Sequence, residues 1–423
     1  MTTIEPVPAE TAAPSWPSRF PRVFRHRNYR LFYAGQMITL IGGWIQAVAL
    51  SWLVYRLTQS PFLLGLVSFV SQAPIFFVTP FAGMIADRAD RRKVFMITRT
   101  LALIQAAILT VVMFSGFINV TIIILLALAL GIITAVEVPT RQSFTVDMVG
   151  REDLRQAIAF NAMLFNFTRT VGPAMGGVIV AAIGEALCFL LNAISSGAVV
   201  LSLFLMRIAP REARPHSRPW EDLKQGFFYV TRHPHIRMIL FLSTVCSCFG
   251  TSYLALMPAF AQDVLNQGAD GLGFIIAGFG AGAVMGAAMV SRVNERHLTL
   301  LPTVMAVLLG IALILFANAQ SLLLAITLVI PTGFAYLAIA VSSNTQVQTL
   351  AEDAMLGRVM AFYAMGALGS PPLGALLLGA IAAEIGVENA FMMAGGICLI
   401  AAGISFASLR RRGMIKAAGK SAG

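Results

Sequence analysis

The stretch GMIADRADRRK, residues 83–93, gathers two aspartates, three arginines and a lysine within eleven residues. On either side of it the chain is apolar, over 61–86 and over 94–115. Each run is long enough for a helix to cross a hydrocarbon core about 30 Å thick, which takes about 20 residues. A charged turn between two such runs is a membrane-surface turn, and it makes the flanking helices antiparallel neighbours. Working outward, the same alternation places spans 1–6 at 31–56, 61–86, 94–115, 117–138, 158–183 and 185–206. Spans 7–12 fall at 237–262, 270–293, 298–317, 320–341, 356–383 and 387–409. The chain therefore reads as an all-α membrane protein with twelve transmembrane helices in two six-helix bundles.

Charge fixes the orientation. Of the 30 Lys and Arg residues, all but Arg56 and Arg169 fall on one side when the spans are threaded back and forth. Lys and Arg favour the cytoplasmic side, so both termini are expected there, in a multi-pass protein of the cell inner membrane. The chain is 58% hydrophobic and 12% charged, where soluble domains carry about a quarter charged residues. The net charge of +11 consequently marks topology and gives no sign of nucleic acid, since no aromatic platform accompanies it. Cys188, Cys246, Cys248 and Cys398 all lie in apolar spans and read as small packing residues, with no metal or other cofactor implied. The Pro- and Ala-rich start reads as a disordered tail without a signal peptide, leaving span 1 as the insertion signal.

The expected organisation is a cytoplasmic tail (1–30), a first bundle (31–206), a cytoplasmic linker (207–236), a second bundle (237–409) and a second tail (410–423). Within the linker, Trp220, Leu223, Phe227 and Val230 share a helical face, the pattern of a helix lying on a membrane surface. The halves also look related. QAIAFNAM (156–163) resembles GRVMAFYAM (357–365), each follows an acidic pair, and each precedes a Gly/Pro-rich run. Internal repeats of this size are a habit of secondary transporters, whose sites lie between the halves.

Gly83 and Asp87 lie four apart on one helix face. Asp87 sits where the helix dipole disfavours an anion, so it calls for a partner. Read alone, the basic cluster is a topology anchor. With Gly83, Asp87, Arg88, Arg91 and Arg92 taken together, the segment resembles the major facilitator superfamily signature G-x-x-x-D-R-x-G-R-R/K, with Asp90 in place of the second glycine. Residues 138–177 resemble the efflux branch that contains the enterobactin exporter. Gly172, Pro173, Gly176 and Gly177 fit its span 5 antiporter motif, while Ala159 and Thr168 replace the earlier glycines. The resemblance implies a gating latch at Asp87, a one-sided one because the matching segment after span 8 lacks the acid. It further implies alternating access and a central cavity lined by spans 1, 4, 7 and 10. The span 5 glycines also have a plain packing role, letting helices cross closely.

Arg169, near the middle of span 5, is costly in a membrane and calls for a cavity or a partner. Asn166, Arg169, Pro173 and Gly176 share its face. It is a candidate ligand for an anionic substrate group, or one half of a structural ion pair. Glu137, late in span 4, is the one nearby intramembrane acid, a candidate proton carrier or an anchor before Pro139. Span 1 carries a stripe of Gln36, Thr39, Gly43 and Gln46, with Trp44 further round. Tyr253 follows four small polar residues in span 7, and Tyr336 follows Pro331 and Thr332 in span 10. Gly278, Gly282 and Gly286 make a packing ridge on span 8.

No nucleotide-binding loop and no protease or hydrolase motif occurs, so the chain reads as a non-enzyme. The expected function is a monomeric secondary active transporter and proton antiporter that exports a small, partly hydrophobic molecule such as a siderophore, drug or metabolite. An importer or lysophospholipid flippase on the same fold, and a membrane scaffold or sensor, are the alternatives. Asp87→Asn should reduce transport with expression and insertion intact; undiminished transport would remove the latch.

Overall fold

A computed structural model describes residues 21–88, 90–150, 152–206, 219–353 and 355–411. Within these, the side chains of 76, 77, 79–88, 147, 219–223, 295, 296 and 368 are outside the description, and Gly83, Asp87 and Arg88 are among them. Every long element is a helix, and among the described residues there is no strand.

Spans 1–4 are Arg27–Thr58, Pro61–Arg88, Arg91–Phe114 and Val120–Val149. Spans 5 and 6 run together as Leu154–Leu205, folded back at Gly184, whose φ of 80° and ψ of 169° suit glycine alone. An amphipathic helix, Pro219–Arg232, precedes span 7, which covers Pro234–Val264. Spans 8–12 are Ala269–Val290, Leu301–Ala317, Leu322–Leu350, Leu356–Ile385 and Val387–Arg411.

Capping explains several ends. The Asp90 carboxylate accepts from the backbone N–H groups of Arg92 (3.0 Å) and Lys93 (3.3 Å), so this aspartate opens span 3. Asn119 caps span 4 in the same way, at 3.0 Å from Ile122 N. At the other end of span 6, the Arg92 guanidinium donates to the carbonyls of Leu203 (2.9 Å) and Phe204 (3.1 Å), a cation on a helix C-terminus.

Span 4 departs from its expected end at residue 138. The helix continues through Pro139 to Val149. Proline removes one backbone donor without forcing a stop when its neighbours hold the turn, and the Thr140 hydroxyl bonds Val136 O at 2.8 Å. Arg141, which an end at residue 138 would leave in the following loop, is therefore a helix residue.

The halves meet along two crossings. Span 5 crosses span 8 where a Cβ on Gly177 would sit 2.7 Å from the Cα of Gly273. Span 2 crosses span 11 where a Cβ on Gly379 would sit 2.8 Å from Pro61 O and 3.2 Å from the Cα of Gly65. Shifting each helix number by six turns one crossing into the other, as a six-span repeat requires. Gly172 and Gly176 instead pack on span 1, against Trp44 and Ile45, and the Gly278–Gly282–Gly286 ridge packs on span 10.

Two side-chain hydrogen bonds join the halves among the described residues: Tyr55 donates to Asp263, and Gln262 to Gln59 at 3.5 Å. Both lie at the end away from the basic clusters. The helix Pro219–Arg232 lies on span 11, with Gly226 against Phe362 and Val230 buried. Phe227 is mostly exposed beside Phe362; Trp220 and Leu223 are outside the described side chains.

Gly177→Leu should push span 5 off span 8, costing about 1–3 kcal/mol as overpacking does. Gly396→Leu, where an added Cβ meets nothing within 4 Å, should be neutral. Thermal unfolding in detergent checks both, and equal midpoints would contradict the close crossing.

Candidate functional site

Between the halves lies a cavity of about 400 Å³, walled by spans 1, 2 and 5 from one side and by spans 7, 8, 10 and 11 from the other. Its walls are largely apolar, with Trp44, Pro173, Ile276 and Phe279 among them. Most of its hydroxyls are already engaged by backbone. Ser51 bonds Val48 O at 3.0 Å, Thr251 bonds Ser247 O at 2.8 Å, and Ser252 bonds Pro371 O at 2.7 Å. Gln72 donates to Ser68 Oγ at 3.2 Å, and Arg169 and Tyr336 complete the polar lining.

The guanidinium carbon of Arg169 stands 5.5 Å from the centroid of the Phe279 ring. That ring lies 6.2 Å from Tyr336. A cation on an aromatic face gains about 0.5–2 kcal/mol, which holds the guanidinium in place without neutralising it. Among the described residues no carboxylate pairs with Arg169. The site thus presents one fixed positive charge in a greasy chamber, which suits a partly hydrophobic molecule with an anionic group.

Glu137 pairs with Arg99 of span 3, both buried at 5% and 8% exposure. The partner of Glu137 is therefore Arg99, nine residues into span 3, and not Arg169. The spacing of Glu137 and Arg141, four apart on one helix face, was the available sign that this acid belongs to a local cluster.

The other sequence candidates divide. Thr39 donates to Ser195 O at 2.9 Å. Gln46 accepts from Asn192 at 2.7 Å and faces Gln105. Both therefore point into the first bundle, because polar groups buried among helices satisfy one another. Trp44, rather than the polar stripe, faces the cavity. Tyr253 is fully buried in the second bundle, its hydroxyl 2.6 Å from that of Thr332 and its ring among Phe279, Phe316 and Phe391. Asn166 bonds Ala162 O at 2.9 Å. Gln36 lines a second cavity, of about 440 Å³, together with Arg141. Phe165 lines both cavities. Phe165 and Phe279 carry no mark in the sequence that sets them apart from other core phenylalanines.

Twelve spans in two related bundles around a central cavity define a membrane transporter of the major facilitator kind. The chain belongs to the transmembrane secretion effector family of that superfamily, whose sequence profile matches residues 20–421. It is 27% identical to the staphyloferrin A transporter of Staphylococcus aureus (strain NCTC 8325 / PS 47), over 86% of this chain and 92% of the relative. It is 25% identical to the enterobactin exporter EntS of Escherichia coli O1:K1 / APEC, over 92% and 93%. It is 26% identical to the multidrug efflux pump Tap of Mycolicibacterium fortuitum, over 83% and 88%. Among solved structures, the nucleoside transporter NupG superposes with a TM-score of 0.72 at 13% identity, over 90% of this chain and 99% of that one. A bacterial homologue of the human lysosomal transporter Spinster, inward-facing and occupied, superposes at 0.69 with 14% identity, over 91% and 97%. The chain is a transporter, not an enzyme.

Arg169→Ala should cut transport of an anionic substrate by about tenfold or more, since a charge-assisted hydrogen bond contributes about 1.5–3 kcal/mol. Arg169→Lys should keep part of it. Initial rates in vesicles check this, and full activity of Arg169→Ala would contradict the assignment.

Proposed function

We propose that this chain exports a small, partly hydrophobic molecule with an anionic group from the cytoplasm. Siderophores, drugs and secondary metabolites are the substrate classes in view. The observation that carries the reading is Arg169, a guanidinium held over Phe279 in an apolar chamber between the halves, with no carboxylate paired to it among the described residues. Relatives named as a staphyloferrin A transporter, an enterobactin exporter and a multidrug efflux pump point the same way.

The basic end faces the cytoplasm in this reading, and both termini lie there, in the inner membrane of the cell. The halves are fastened at the far end by Tyr55–Asp263 and by the glycine crossings, so the cavity belongs to a state that loads from the cytoplasm. Rocking about those crossings would release the substrate outside, with the Asp87 region acting as latch and one chain sufficing for a complete path. Proton antiport supplies the drive. Glu137 is the candidate carrier: protonation would remove its charge and free Arg99, a change of packing deep in the first bundle.

Untargeted mass spectrometry of cells lacking or overproducing the chain tests the reading. A compound that accumulates inside the deletion strain and appears outside the overproducer is the expected result. The opposite movement, or a change confined to lysophospholipids, would convert the reading to import or lipid flipping. With that compound in hand, Glu137→Gln should transport it with little response to an imposed pH gradient; an unchanged response would remove Glu137 as carrier.

A further inference from the structure

The second cavity has a charge balance of its own. Arg99, Glu137 and Arg141 form one cluster at the basic end of spans 3 and 4. Its single described carboxylate is taken by Arg99. Arg141 lines the cavity with no ion pair and no side-chain hydrogen bond among the described residues. An arginine keeps its charge in a protein, so among the described residues the two arginines and one carboxylate of the cluster leave one positive charge in excess.

Gln36 faces the same chamber. It is only 4% exposed, and its Oε1 has no hydrogen-bond partner. A buried amide oxygen without a donor is costly, and it lines the same cavity as the Arg141 guanidinium. The remaining walls include Phe32, Leu40, Ile158 and Phe165. Of the other polar groups in its wall, Thr145 bonds Arg141 O at 3.1 Å and Asn161 accepts from Tyr29 at 3.1 Å, while Gln142 adds a second amide.

We propose that this chamber is a second binding subsite, for a carboxylate joined to an apolar body with a hydroxyl beside the carboxylate. Arg141 pairs with the carboxylate, Gln36 Oε1 accepts a hydrogen bond from the hydroxyl, and Phe32 and Phe165 flank the body. Phe165, shared by both cavities, divides this subsite from the one at Arg169. On the proposed export reading, the anion passes from one guanidinium to the other around Phe165; binding itself does not depend on that reading.

The probe is salicylate, an aromatic hydroxy acid, with salicylamide as its neutral counterpart, measured by equilibrium dialysis on the purified full chain in detergent. Two salicylate sites per chain are expected. Arg141→Gln should weaken one of them about tenfold or more. Ala162→Phe, which fills the chamber with the charge left in place, should do the same, and Arg169→Gln should weaken the other. Retention of both sites in Ala162→Phe, or equal affinity for salicylamide, would overturn the proposal even if Arg141→Gln fails to fold. A chain that binds as expected yet exports nothing would contradict the export reading alone.

Discussion

Everything functional in this molecule follows from the difficulty of holding arginine inside a membrane. An arginine at the centre of a spanning helix costs about 2.5–3.5 kcal/mol on insertion scales, and it persists only where a partner or a cavity receives it. The chain has solved this in two ways. Arg99 is matched by Glu137 and buried with it. Among the described residues Arg141 and Arg169 have no ion pair, and each stands at the wall of a cavity. The first arrangement holds a bundle together. On the proposed reading, the second leaves charge available for a molecule that comes and goes.

The glycines decide where those cavities can be. Spans 5 and 8, and spans 2 and 11, approach until backbone nearly touches backbone at Gly177–Gly273 and Gly65–Gly379. Small residues permit such contact, and without a hydrophobic drive between helices in lipid it is close packing that joins them. Because both crossings lie toward the end away from the basic clusters, the halves are pinned there. The central chamber opens between them, below Pro173 on span 5 and Ser252 on span 7. The two crossings are copies under the repeat that joins QAIAFNAM to GRVMAFYAM.

Much of this architecture was legible in the residues, because span number depends on length and apolarity alone. The GMIADRADRRK turn gave the antiparallel pairing, and Asp90 proved to be the cap of span 3 rather than a defect in a motif. The site was less legible. Polar residues on span 1 looked cavity-facing, yet Gln46 and Thr39 turn toward Asn192 and Ser195 because a buried amide is satisfied by other polar groups. Pro139 looked like the end of span 4, which concealed Arg141 among loop charges. Phe279 supports Arg169 from the opposite half, a contact that depends on how two bundles face each other and that no local pattern records.

The account turns on Arg169 facing a chamber that opens toward the cytoplasm and is shut on the other side. Accessibility of that position tests it most directly. Cys188, Cys246, Cys248 and Cys398 would be replaced by serine, Arg169 by cysteine, and a membrane-impermeant methanethiosulfonate applied to vesicles of each orientation. In the absence of a proton gradient, the account predicts rapid modification in inside-out vesicles and protection in right-side-out ones. Equal modification from both sides, or modification from the outside alone, would contradict it.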